Sequence, residues 1–228
     1  AHALVPDVDQ ITNVVYDGSP IANPQASVPV GLAAVKATND PTVVIGVSKG
    51  AQLAHGVEAK DTRTDTTYVY VGDPDGRNGI SRTLGLSPKP VEPTHDTVTI
   101  NAEYDGIGDM PDRFNPLAIA NAAAGWAFIH TKYRAGGVDD PLTSIDAATV
   151  TVRKNRNGTT STTKLIPTKH LPILKPLRDT EKTLTHQTRI TDAIEGAIRP
   201  TIDAGYSRND KPAKQTKPAT KTVAPSKE

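Results

Sequence analysis

The sequence predicts an α/β protein built on a doubly wound, mostly parallel β-sheet. Apolar and β-branched runs alternate along the chain with segments of helical periodicity, which is typical of strand–helix–strand units. The run at 42–47 is almost continuously apolar, as expected for a strand covered on both faces of a parallel sheet. The 17 glycines and 19 prolines among 228 residues indicate many turns and exclude a helix bundle.

The predicted strands are β-branched or aromatic runs that end at turn residues. A hairpin is expected where Asn157-Gly158 separates two such runs, because Asn-Gly favours a tight turn. The predicted strands cover 11–16, 42–47, 66–72, 96–104, 149–154 and 160–166, and the last two form the hairpin, which is inserted near the C-terminal end.

The predicted helices are the segments whose apolar residues recur at helical spacing. Pro29 is tolerated because it falls in a first turn, and Pro200 is expected to end the last helix. The segment 115–131 is apolar on nearly every side, which indicates a buried helix or one that covers an apolar cleft. The predicted helices cover 27–38, 51–60, 115–131 and 180–198.

Composition divides the chain into a domain at 1–206 and a tail at 207–228. The tail is rich in lysine, proline and threonine, and Val223 is its one large aliphatic residue. Such a segment buries too little apolar surface to offset its conformational entropy, so we predict a disordered basic tail. The tail is either a contact for an anionic surface or partner protein, or a solubilising extension.

Composition also excludes several classes of function. The formal net charge is +1, which argues against a general nucleic-acid binder, and the absence of cysteine excludes disulfides, zinc–thiolate sites and iron–sulfur clusters. Neither a transmembrane segment nor a signal peptide is visible, so the localisation stays open. The acidic turn at 72–79 lacks the glutamate of a calcium loop. We expect neither a metal ion nor a cofactor.

The most informative motif is Gly-Val-Ser-Lys-Gly at 46–50, between the 42–47 strand and the following helix. A strand that runs directly into a helix forces the residue between them into a sharp turn, and Gly46 and Gly50 leave room for it. Ser48 would then be a nucleophile at the positive end of a helix, and the Lys49 N–H would face the oxyanion. The alternative is a strand–helix connection without chemistry.

A serine nucleophile requires a base and a carboxylate that orients the base, and in this fold they follow in the order Ser, acid, His. The strand at 96–104 runs into a loop with two carboxylates. Asp109 is the first choice for the acid and Asp105 the alternative; the other would cap a turn.

Among the six histidines, His170 is the predicted base. It lies downstream of the acid in a loop at 167–172, which begins and ends with proline and would hold an imidazole in position. His130 ends the apolar helix, from where it could reach a cleft, but it is interpreted as a cap of that helix.

Several long motifs in this order resemble the PE-PPE domain, a mycobacterial family of serine α/β-hydrolases related in fold to cutinases. The resemblance covers 11–206. It rests on GVSKGA at 46–51, VGDPDGRNGI at 71–80, EYDGIGDMPDRFNPLAIANA at 103–122, IPTKHLPILKPLR at 166–178 and PTIDAGY at 200–206.

The resemblance implies a Ser-Asp-His esterase that acts on acyl or lipid esters, with Ser48 as nucleophile, the acid within 105–109 and His170 as base. It also implies an extracytoplasmic location in the cell envelope, and some relatives look like acyltransferases that build trehalose lipids. The sequence departs from the family because no strand with a glycine-rich oxyanion loop precedes 11–16; a turn at 17–20 is a candidate substitute donor. We therefore predict a serine ester hydrolase or acyltransferase, and alternatively a non-catalytic structural or binding module of a cell envelope or virion surface.

Overall fold

Five strands form one sheet in the computed structural model, which describes residues 10–19, 22–38, 41–87, 92–133, 137 and 139–210. The strands, in chain order, are β1 (Thr42–Val47), β2 (Thr66–Val71), β3 (Asp96–Ala102), β4 (Thr149–Lys154) and β5 (Thr160–Ile166). Their spatial order is β1-β2-β3-β5-β4; every neighbouring pair is parallel except the β4–β5 hairpin. The predicted α/β fold with a mostly parallel sheet and a late hairpin is confirmed.

Helices cover both faces of the sheet, because alternate residues of β2 enter two separate cores. Tyr68 and Tyr70 pack with α1 (Val28–Lys36) and α2 (Lys49–Glu58). Val69 and Val71 join the core on the other face, which is formed with the helices Pro116–Phe128 and Arg189–Asp203. The remaining helices are α3 (Ile80–Thr83), α4 (Pro116–Phe128), α5 (Lys175–Thr185) and α6 (Arg189–Asp203).

Two predicted elements differ from the structure. Residues 11–16 form no strand, although Val14 and Tyr16 pack against the core of α1 and α2. The single helix predicted at 180–198 is two helices, α5 and α6, because the chain takes a left-handed conformation at His186 (φ 56°). The Glu181 carboxylate accepts hydrogen bonds from the first backbone N–H groups of α6, and this cap starts a second helix.

The structure describes residues 207–210, the first four of the predicted tail. Ser207–Asn209 forms a 3-10 turn, and both the backbone and the hydroxyl of Ser207 donate to the Asp112 carboxylate. The rest of the predicted tail, 211–228, lies outside the described residues. Within the described ranges, every helix falls short of the length and apolarity that crossing a membrane requires.

Candidate active site

Ser48 lies at the turn between β1 and α2 in a strained backbone conformation, with φ 55° and ψ −118°. Its N–H still continues the sheet, donating to the Val71 carbonyl at 2.8 Å, while the next residue already begins the helix. A Cβ on Gly46 would lie 2.3 Å from the Gly50 carbonyl oxygen, so only glycine allows the strand and helix to approach this closely. The sequence therefore forms the sharp turn that the motif predicts.

The imidazole at Ser48 belongs to His130. Its Nε2 lies 2.7 Å from the Ser48 Oγ, and its side chain is only 9% exposed. His130 begins a 3-10 turn directly after α4. A Cβ on Gly72, the residue after β2, would lie 2.8 Å from the His130 Cε1, so the absence of a side chain there makes room for the ring.

Asp105 holds the other side of the His130 ring. The His130 Nδ1 lies 3.0 Å from both Asp105 carboxylate oxygens, and Asp105 is fully buried. The Asp105 Oδ1 also accepts a hydrogen bond from the Ile107 N–H at 2.9 Å. Because an ionised carboxylate only accepts, Nδ1 carries the imidazole proton and Nε2 is left to accept the Ser48 hydroxyl. The three side chains thus form a continuous chain of hydrogen bonds.

Close contacts between backbone segments fix the loop that carries Asp105 against α4. A Cβ on Gly125 would lie 1.8 Å from the Tyr104 carbonyl oxygen, and one on Gly106 would lie 2.1 Å from the Ala122 carbonyl oxygen. Glycine at both positions therefore lets α4 lie directly on the loop that follows β3. His130 follows α4 in the chain. The contact between α4 and the loop therefore sets the distance between Asp105 and His130.

Tyr133 packs beside this array. Its ring meets the His130 ring edge-on with the ring centres 5.7 Å apart, and its hydroxyl accepts the Ala102 N–H at 2.7 Å. Burial, and next the charge of Asp105, raise the pKa of the Tyr133 phenol well above its ordinary value. The phenol therefore stays neutral beside the carboxylate.

Asn101 joins two loops at this edge of the sheet. Its Oδ1 accepts the Asp73 N–H at 3.1 Å, and its Nδ2 donates to the Gly108 carbonyl at 2.8 Å. The Asp73 carboxylate is buried and lies 2.9 Å from the His55 Nε2. Burial acts to lower the pKa of His55, but the hydrogen bond and charge of Asp73 raise it overall. Asn101 therefore connects the loop after Gly72 with the loop of the acid.

Asp109, the first choice for the acid, lies elsewhere in the loop. Its Oδ2 accepts the Tyr104 N–H and its Oδ1 accepts from the Arg208 guanidinium, both at 2.8 Å. Burial raises the pKa of Asp109 to about 6, with Arg208 acting in the opposite direction. Asp109 thus ties the loop to the C-terminal turn, and Asp105, the alternative, is the carboxylate that meets the imidazole.

The expected pairing of Ser48 with His170 is corrected. His170 is 41% exposed, and its Nδ1 lies 3.2 Å from the Glu195 Oε2. Its loop follows β5, three strands away from β1 in the sheet, which corresponds to about 14 Å at the usual spacing. His130 instead adjoins Gly72, at the end of the strand next to β1. The chain order Ser, acid, His fits both histidines, so sequence order alone could not distinguish them.

The sequence predicts the Lys49 N–H as an oxyanion donor. Lys49 is the first residue of α2, where a backbone N–H has no intrahelical acceptor. Its ammonium group donates to the Ser19 carbonyl, which brings the turn at 17–19 to the rim of the site. The Ser19 N–H, however, donates to the Asp17 carboxylate at 2.9 Å, so that N–H is not offered to a substrate.

One group of side chains has the composition of a metal site but the partners of an ion-pair network. Ligand atoms of His170, Asp192 and Glu195 lie within 4.8 Å of one another. Arg178 donates to both Asp192 and Glu195 at 2.6 Å, and Arg199 also donates to Glu195. These guanidinium groups already neutralise the carboxylates that a cation would need.

Comparison with known proteins agrees with the fold. Residues 3–207 match the family described as PE-PPE domain. The chain is 30% identical over 226 residues to "Diacyltrehalose acyltransferase Chp2" of Mycobacterium tuberculosis, covering 84% of this chain and 61% of that protein. It is 32% identical over 201 residues to "SL1278 acyltransferase Chp1" (79% and 47%) and 27% identical over 228 residues to "Esterase PE16" (87% and 39%), both of the same organism. No solved structure matches.

The fold and the side chains at the carboxyl edge of its sheet define a cutinase-like α/β-hydrolase domain. The chain belongs to the PE-PPE domain family. It spans about three fifths of the first of these relatives and less than half of the other two.

Proposed function

We propose that this domain is a serine carboxylic ester hydrolase or acyltransferase that acts on acyl lipid esters. The observation that carries the proposal is the hydrogen-bonded series from Ser48 through His130 to the buried Asp105. Ser48 is the nucleophile, His130 the general base and Asp105 the group that orients the imidazole.

The chemistry follows from the order of the hydrogen bonds. The Ser48 Oγ attacks the ester carbonyl carbon while His130 Nε2 takes the hydroxyl proton. Asp105 stabilises the resulting imidazolium, and the Lys49 N–H donates to the oxyanion of the tetrahedral intermediate. Collapse of that intermediate breaks the bond to the alcohol, which leaves with the proton from His130, and the acyl group stays on Ser48.

The second half of the reaction determines whether the product is an acid or a new ester. Water activated by His130 gives hydrolysis, whereas a sugar hydroxyl of an acceptor glycolipid gives acyl transfer. Two relatives are named as acyltransferases, one of diacyltrehalose, and a third as an esterase. These names support an acyl ester as the donor in both reactions and a glycolipid hydroxyl as the acceptor in transfer.

A fluorophosphonate probe and a short p-nitrophenyl ester test the proposal directly. We expect covalent labelling and hydrolysis by the full chain, both abolished by Ser48→Ala. His130→Ala should lower turnover roughly 10⁶-fold, as loss of a triad histidine does. His170→Ala is the matched control, since it removes an exposed imidazole outside this array. Product analysis with a diacyltrehalose acceptor then separates transfer from hydrolysis.

Two results would contradict the proposal. If the folded protein neither labels nor hydrolyses the ester, the domain is the non-catalytic binding module, the alternative function. If His170→Ala abolishes turnover and His130→Ala preserves it, the assignment of the base is wrong. Circular dichroism of each variant shows whether the fold is intact.

A further inference from the structure

The outward side of α4 is a continuous apolar surface. Its exposed residues recur at helical spacing, and none of residues 116–129 carries a charge. Trp126, the one tryptophan of the chain, is 59% exposed and Ile119 is 38% exposed. The α4 outer face consists of Pro116, Ile119, Ala120, Ala123, Trp126 and Ala127.

The C-terminal end of this face lies beside the loop that carries Asp105. Trp126 precedes His130 by four residues, about one helical turn. It also lies against the acid loop, because a Cβ on Gly106 would be 3.1 Å from the Trp126 Cβ. Gly106 directly follows Asp105. An acyl chain held on the α4 outer face would thus lie next to the residues that orient the base.

We propose that the α4 outer face docks on a lipid–water interface and gives Ser48 access to acyl esters embedded there. This inference rests on the proposed function and identifies the physical state of its substrate as a lipid assembly. An uncharged face complements the acyl region of a lipid surface, whereas a charged partner would require opposite charges. A partly exposed tryptophan fits the boundary between acyl chains and water, since its ring is apolar and its N–H is polar.

Trp126 reports on this contact without any labelling, because it is the only tryptophan in the chain. With zwitterionic dioleoylphosphatidylcholine vesicles, we expect its emission to shift to shorter wavelengths and to be quenched by brominated acyl chains. Neither signal should depend on salt, since the face carries no charge. A signal that needs anionic lipid and disappears at high salt would assign binding to basic segments and overturn the proposal.

Matched substitutions locate the contact on α4. Ala123→Asp places a charge at an exposed position of the α4 outer face and should lower vesicle partitioning about tenfold. Val152→Asp, at a 62% exposed position on edge strand β4, is the control and should leave partitioning unchanged. Equal partitioning of wild type and Ala123→Asp would overturn the proposal, as would a concentration-dependent blue shift without lipid, which would indicate that a second copy covers the face.

Ser48→Ala separates this inference from the proposed function. If the surface assignment is correct, this variant binds vesicles as the wild type does, even though it cannot form an acyl-enzyme. Absence of ester hydrolysis by the folded wild type, with intact vesicle binding, refutes only the catalytic proposal. Intact hydrolysis of a short water-soluble ester, with vesicles that leave Trp126 emission unchanged, refutes only the docking surface.

Discussion

Replacing Gly72 with alanine perturbs the candidate site without removing any of its reacting groups. Gly72 follows β2 with a positive φ of 57°. A methyl group there would lie 2.8 Å from the His130 Cε1 and 2.9 Å from the Tyr133 Cε2, whereas ordinary contacts of a Cβ begin at 3.4 Å. The rings must therefore move away from Gly72 by about 0.6 Å if the backbone stays in place.

The size of the expected effect follows from this displacement. The Ser48–His130 hydrogen bond is 2.7 Å long, so a shift of about 0.6 Å can lengthen or misalign it substantially. Because a misplacement of about 1 Å can lower the rate roughly 10²-fold, we expect Gly72→Ala to lower turnover about 10- to 100-fold. The positive φ should in addition cost about 1–2 kcal/mol of folding free energy.

Gly85→Ala is the matched control for backbone strain. Gly85 has a similar φ of 70°, but a Cβ there would have no neighbour within 4 Å. Both variants should lose stability in urea denaturation, while only Gly72→Ala should react slowly with a fluorophosphonate and with a p-nitrophenyl ester. Equal reaction rates in the two variants would refute the argument that space at Gly72 positions His130.

Two further predictions concern the loops around the site. Asn101→Ala leaves the Asp73 N–H and the Gly108 carbonyl without their side-chain partner, so we expect a loss of about 3 kcal/mol in urea denaturation. Because burial raises the pKa of Asp109 to about 6 from 3.8, the folded state binds this proton more tightly and its contribution to stability falls as pH rises between these values. The stability of Asp109→Asn relative to wild type should therefore rise by about 2 kcal/mol from pH 4 to pH 7. Asp112→Asn should show the opposite trend, since burial would raise the pKa of Asp112 but hydrogen bonds from Ser207 lower it overall.

The parts of the fold that depend on local sequence could be predicted closely. The 42–47 strand and both hairpin strands have the predicted bounds, because apolar runs and the Asn-Gly turn specify them without reference to the rest of the chain. The turn at Ser48 is equally local, since its two glycines mark the close approach of strand and helix. The boundary between α5 and α6 was missed because a carboxylate one helix earlier caps the second helix.

The choice among candidate partners of Ser48 depended on contacts between distant segments. Asp105 and Asp109 are four residues apart and equally plausible in sequence. What distinguishes them is Arg208, about a hundred residues downstream, which pairs with Asp109. Likewise, no local sequence feature shows that His170 contacts Glu195, or that the end of α4 lies beside the end of β2. The proximity of α4 and β2 depends on the order of the strands, and strand order is a property of the whole sheet.

The proposed base, His130, lies at the end of α4, and this position has two consequences that a position in a loop would not have. A rigid helix packed backbone to backbone on the acid loop fixes the imidazole relative to Asp105. The contact is tight, because a side chain at Gly125 or Gly106 would overlap the facing backbone. The exposed side of the same helix is the uncharged α4 outer face, and its Trp126 lies beside the acid loop. Trp126, in the face that would meet a lipid surface, precedes His130 by four residues. Under the two proposals together, substrate contact and proton transfer depend on this one helix, so a charge placed at Ala123 should reduce reaction with vesicle-bound esters more than with soluble ones.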